Sequence, residues 1–82
     1  MQIQVLLFGP QAELAQADRI TMQVASQSIT AGDILTKLAT EAPALQPSLK
    51  TSRLAINHAY AAADDTITSD DEVALIGMVS GG

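Results

Sequence analysis

Cysteine is absent from the chain. That excludes disulfide staples, thiolate metal sites, and a cysteine nucleophile or persulfide carried on a side chain. The single histidine, His58, would leave any zinc site resting on carboxylates, an unusual donor set. Tryptophan is also absent, and the aromatic content is 2%, from Phe8 and Tyr60. A base-stacking surface needs more exposed rings than that. Cations are scarce as well: four Lys and Arg against nine Asp and Glu give a net charge of −5, which repels phosphate backbones and argues against a nucleic-acid partner. No apolar run approaches the roughly 20 residues that span a bilayer. Met1-Gln2-Ile3-Gln4 lacks the basic start of a signal peptide, and Val5–Phe8 is too short for its apolar segment. The expectation is a cytoplasmic protein without membrane contact. At 82 residues there is room for one small domain, residues 1–82, and little room for a cavity with a full set of catalytic groups.

What the chain has is aliphatic patterning, with 48% hydrophobic residues. Residues 2–8 begin as an alternation, Ile3, Val5 and Leu7 on one face and Gln2 and Gln4 on the other, which is a strand period. The second face turns apolar at Leu6 and Phe8. Gly9-Pro10 breaks the strand and starts a short helical turn through Glu13-Leu14. Ile20, Met22 and Val24 alternate with Thr21 and Gln23, which predicts a second strand antiparallel to the first.

A helix over residues 31–42 follows. Thr30 is its cap, Asp33 the acid three residues on, and Ile29 and Ile34 occupy the staple positions. Ile34, Leu35, Leu38, Ala39 and Ala42 form the apolar stripe, Thr36, Lys37, Thr40 and Glu41 the wet side, and Pro43 the stop. Residues 43–53 read as irregular connection. Leu54 and Ile56 begin a third strand that reaches toward Tyr60, with Asn57 suited to a turn at positive φ. Residues 61–72 read as a loop with short extended pieces, and Val73–Val79 as the last strand.

One helix covering one face of a mixed sheet of about five strands makes this an α+β protein. A right-handed crossover lays the last strand parallel to the first at the sheet centre, the β-grasp or ubiquitin-like arrangement. In the last strand Val73 and Leu75 then face the helix, while Ala74, Ile76 and Met78 face away. Beside them, Leu6 and Phe8 complete an apolar patch on the uncovered face, a candidate docking surface unless residues 43–53 fold over it.

Three of the five glycines, Gly77, Gly81 and Gly82, lie in the final six residues. A Gly-Gly end presents a carboxylate with no side chain near it on an unrestricted backbone. Residues 80–82 are expected to form a flexible tail able to thread a narrow tunnel in another protein. Phe8-Gly9 after an opening strand, Ala55-Ile56-Asn57, Asp71-Glu72-Val73-Ala74 and Val79-Ser80-Gly81-Gly82 together resemble the small subunit of molybdopterin synthase, over essentially the whole chain. The chain departs from the family's pattern in three places. It has Ala12 where a basic residue is common, Asp70 where glycine often precedes the last strand, and no proline near Gly77-Met78, where family members commonly carry them.

The resemblance implies a sulfur carrier of molybdenum cofactor biosynthesis. An E1-like enzyme adenylates the Gly82 carboxylate with ATP and Mg, and a sulfur donor protein converts it to a thiocarboxylate. The tail then enters the large subunit of the synthase, within a heterotetramer, and passes its sulfur to the pterin precursor. Gly82 is the reactive end, with Gly81 beside it. Leu6, Phe8, Ile76, Met78, Val79 and Ser80 face the partner, and the catalytic groups sit on the large subunit. The chain itself binds no cofactor and no metal. The same tail would serve a thiamine-pathway sulfur carrier or a ubiquitin-like protein modifier, and a β-grasp interaction module with an inert tail is the remaining alternative.

Other features read as structural. The acidic stretch from Asp64-Asp65 to Asp70-Asp71-Glu72 lacks the ligand alternation of an EF-hand loop and reads as solvated turns. His58 has no triad partner at a recognisable spacing. Lys37, Lys50 and Arg53 read as a solvated rim.

Overall fold

The computed structural model of the chain describes residues 1–78. Strands β1 (Gln2–Leu6) and β2 (Arg19–Gln23) pair antiparallel, with Ile3 opposite Met22 and Val5 opposite Ile20. Their alternation does what the pattern predicts: Ile3, Val5, Leu7, Met22 and Val24 are buried. Helix α1 (Gly9–Ala15) connects them. It opens at Gly9, whose φ of +52° is one most side chains resist, and Pro10 follows in the first turn, where its missing N–H costs no hydrogen bond.

Strand β3 (Ile29–Thr30) runs into helix α2 (Ala31–Glu41). The predicted cap is present, the Asp33 backbone N–H donating to Thr30 Oγ1 at 3.2 Å. Ile34 and Leu38 are fully buried, while Leu35 and Ala39 are half-buried at the flanks of the stripe. The helix ends one residue before the predicted Ala42, whose N–H still reaches the Leu38 carbonyl at 2.8 Å.

The connection read as irregular is helical. A 3-10 turn (Pro43–Leu45) and a one-turn helix α3 (Gln46–Leu49) fill it, and each takes its proline in the first turn. These prolines therefore start helices as well as stopping one. Leu45 is fully buried in the core, so this segment packs on the helix side of the sheet and leaves the other face uncovered.

Strand β4 (Ser52–Ile56) starts two residues before Leu54 and turns at Asn57-His58 into β5 (Ala59–Tyr60). Asn57 at φ 51° and His58 at φ 72° form a two-residue hairpin loop whose twist matches its strands. Strand β6 (Thr66–Ile67) pairs with β3, burying Ile67 opposite Ile29. Strand β7 (Val73–Gly77) closes the described chain; the predicted continuation to Val79 lies outside the described residues.

The main sheet has the order β2-β1-β7-β4-β5, with β7 parallel to β1 and antiparallel to β4. The last strand thus sits at the sheet centre, as the crossover argument requires. Ile3, Val5, Leu54, Val73 and Leu75 meet Ile34, Leu38 and Leu45 in one apolar core. Among the described residues, no helix is long and apolar enough to cross a membrane.

Candidate functional site

Strand register builds the uncovered face. Leu6 of β1 lies opposite Ala74 of β7, Ala74 opposite Ala55 of β4, and Ala55 opposite Tyr60 of β5. A second row sets Ile76 opposite Arg53, with Phe8 just past the end of β1. Two alanines therefore floor the middle of the face while larger side chains stand around them. The result is a shallow concavity of about 360 Å³ bounded by Phe8, Ile76, Tyr60, His58 and Glu72. Phe8 is 54% exposed, Tyr60 55% and Met78 39%, a concentration of wet apolar surface on so small a chain.

The predicted patch is assembled in part. Phe8, Ile76 and Met78 line one continuous apolar hollow at the end of β7, together with Gly9, Pro10 and Thr51. Leu6 is on the same face, in the neighbouring row with Ala74. It is half-buried and opens into a polar depression with Gln2, Gln4, Ser69 and Asp71. Val79, Ser80, Gly81 and Gly82 lie outside the described residues.

The sequence reading placed Ala74 on this face but missed Ala55, Tyr60, His58 and Glu72 as parts of it. The signal was present: treating Asn57-His58 as a two-residue loop places Tyr60 directly across from Ala55. His58 Nε2 lies 3.2 Å from Glu72 Oε2 at the rim. The Arg53 guanidinium sits 5.1 Å above the Tyr60 ring, holding the ring against β4. Lys37 pairs with Glu41 on α2 at 3.0 Å, away from the site.

The acidic turns cap backbone groups. Asp65 Oδ2 accepts the Ala62 N–H at 2.8 Å, and Asp71 Oδ2 accepts the Thr68 N–H at 2.8 Å. The other Asp71 oxygen accepts Asn57 Nδ2 at 2.8 Å, and Asn57 Oδ1 accepts the Glu72 N–H at 2.9 Å. These bonds tie the β4–β5 hairpin to the start of β7, directly beside the concavity. The Thr68 backbone bond, and then the Asn57 amide, hold the Asp71 carboxyl below its ordinary pKa. Asp70 is not among the residues at positive φ, so its turn has no need of glycine. Among the described residues, no group of three or more His, Asp or Glu is placed to hold a metal ion.

The face can therefore bind through apolar contact and orient through its rim; its described side chains include no nucleophile–base pair. Residues 5–82 match the ThiS family. The chain is 34% identical over 83 residues to the molybdopterin synthase sulfur carrier subunit of Dictyostelium discoideum, covering 99% of this chain and 96% of that one. It is equally 34% identical to the Chlamydomonas reinhardtii protein of that name, over 84 residues and the whole of both chains. Among solved structures, small archaeal modifier protein 1 of Haloferax volcanii superposes with a TM-score of 0.84 at 28% identity over the whole of both chains. A complex of subunits 1 and 2 of the Helicobacter pylori molybdopterin-converting factor contains a chain of the same fold, with a TM-score of 0.67 at 19% identity and full coverage of both.

Proposed function

Because the chain belongs to the ThiS family of β-grasp proteins, we propose that it is the sulfur carrier subunit of a molybdopterin synthase, with Gly82 as the group that is charged and discharged. The observation that carries this reading is the match of the whole chain to two molybdopterin synthase sulfur carrier subunits at 34% identity. The open apolar hollow at Phe8, Ile76 and Met78 supports it, since it lies where the chain runs on toward the Gly-Gly end. A large subunit seated on that hollow would receive the tail directly. The partner role draws further support from the complex in which a fold relative is joined to a second subunit.

The chemistry proposed is acyl activation. An E1-like enzyme, using ATP and Mg, joins the Gly82 carboxylate to AMP and releases pyrophosphate. A persulfide of the sulfur donor protein displaces AMP, and a thiol frees the glycine thiocarboxylate. In the synthase the terminal sulfur attacks the pterin precursor, and hydrolysis returns the carboxylate. Every transferred atom is carried on the main chain, so a protein without cysteine is suited to the task.

A second reading, protein modification, is favoured by the likeness to small archaeal modifier protein 1. Both readings begin with adenylation, and they part at the product. Intact mass is to be measured after incubation with ATP, the activating enzyme and a persulfide donor. Exchange of one oxygen for sulfur is the expected result; adducts to lysines of other proteins would favour the modifier, and no change would leave an interaction module. One residue added after Gly82, or Gly81→Val, is expected to stop pyrophosphate release while thermal melting is unchanged. The reaction depends on placing one carboxylate against a phosphate, where small displacements are costly in rate.

A further inference from the structure

The structure gives Gly77 a specific neighbour. A Cβ built on Gly77 would lie 2.7 Å from Gln11 Nε2 and 3.1 Å from Gln11 Oε1. The Gln11 side chain thus fills the room that a side chain at 77 would use. Gln11 is 6% exposed, a rare burial for glutamine, and it is satisfied there: Nε2 donates to Ser52 Oγ at 2.9 Å. Ser52 Oγ in turn donates to the Ser48 carbonyl at 2.7 Å. Ser52 is also the strand partner of Gly77. The next residue, Met78, donates its N–H to the Thr51 carbonyl at 2.7 Å. One buried amide therefore links α1, the end of α3, the start of β4 and the last paired residue of β7.

We infer that Gln11 is a positioning residue, a strut between α1 and Gly77 that fixes the direction in which the chain leaves the sheet at Met78. The inference rests on the sulfur-carrier reading for its consequence, because the segment that follows Met78 is the one to be delivered. Its physical content is independent of that reading. Gln11 lines the hollow beside Gly77, and it acts on the exit of the chain through the backbone of residues 77 and 78. Without it, Gly77 keeps its strand pairing but loses the contact that restricts its backbone from the core side. A glycine so released samples conformations that other residues do not.

The test uses the full chain with Gln11→Ala, Gly77→Ala and the double variant. Gln11→Ala is expected to raise the hydrogen-exchange rate of the Met78 amide about tenfold or more while the Leu38 amide, in the core helix, keeps its protection. Gly77→Ala alone is expected to destabilise, because its Cβ evicts the Gln11 amide from Ser52. In the Gln11→Ala background the same change should stabilise, since the room is vacant and glycine weakens strand interiors. That reversal of sign is the signature of the strut. With the activating enzyme, Gln11→Ala should leave KM near the parent value and lower kcat for pyrophosphate release by about tenfold to a hundredfold, the scale of small misplacements at a reacting centre. Unchanged Met78 exchange, strictly additive effects of the two substitutions, or an unaltered kcat would overturn the inference. If the parent chain itself is not adenylated, the carrier reading fails; the exchange and stability measurements still decide the strut.

Discussion

Phe8→Asp separates docking from folding more sharply than any other single change. Phe8 is the N-cap residue of α1, with extended φ and ψ, and makes no side-chain capping bond. It is 54% exposed, so about half of its burial is already forgone, and removing the ring costs roughly 1 kcal/mol of folding stability. Aspartate is among the best N-cap residues and returns about 1 kcal/mol there by accepting a first-turn N–H. The two terms nearly cancel, and urea denaturation should place the variant close to the parent. Association with the large subunit has no such compensation. The docked complex loses the remaining ring burial and must desolvate a carboxylate within an apolar hollow, a penalty of several kcal/mol. At about 1.4 kcal/mol per decade, titration calorimetry should show Kd rising at least a hundredfold. Parent-like affinity in a folded variant would refute the assignment of this face. A collapse of stability that accounts for the lost binding would show that the ring is a core element after all.

Three further outcomes follow from the same geometry. Leu38→Ala empties a fully buried site between α2 and the sheet, so equilibrium denaturation should show a loss of about 2–5 kcal/mol. Asn57→Ala removes the bonds to Asp71 and the Glu72 N–H and places a Cβ-bearing residue without a compensating side chain at φ 51°; a loss of about 1–3 kcal/mol is expected, with resonances around Glu72 and Tyr60 shifted by NMR. Asp71 has a depressed folded-state pKa, so its stabilising effect is complete above the ordinary carboxylate pKa and disappears as pH falls through the folded value; thermal melting from neutral to acid pH should therefore show a decline that Asp71→Asn reduces.

The parts of this fold that were legible in the sequence are those set by period and punctuation. Ile3-Val5-Leu7 and Met22-Val24 recur at every second position, and Thr30, Asp33 and Pro43 bracket an apolar stripe at helical spacing. Those signals are local, and the strands and α2 followed them. The segment from Pro43 to Leu49 was misread because proline ends a helix and also starts one, and only the tertiary demand for Leu45 in the core decides between them. Ile67 was missed for a related reason: a two-residue strand carries no period, and its burial depends on a partner, Ile29, far away in sequence. At the site, Phe8, Ile76 and Met78 were legible from face parity, as was Leu6, whose row partner is Ala74. Gln11 and Gly77 were not legible as a pair. Nothing in a sequence says that a glutamine on one element occupies the space left by a glycine on another.

The architecture explains how so small a protein affords an apolar face open to solvent. A single main helix covers one side of a five-stranded sheet, so the strands carry two faces and the helix layer covers one. Full burial of the inner face, with Val5, Ile34, Leu38, Leu54, Val73 and Leu75 at or near zero exposure, supplies the stability. The centre of the outer face is small, Ala55 and Ala74, where a larger residue would fill the concavity. The two faces draw on alternate residues of the same strand: in β7, Val73 and Leu75 serve the core while Ala74 and Ile76 face outward. A substitution at an odd position of β7 should therefore register in denaturation curves, and one at an even position in binding. Gly77 breaks the alternation. It is an inward position given up to Gln11, at the residue where the strand stops being a scaffold and becomes the approach to the tail.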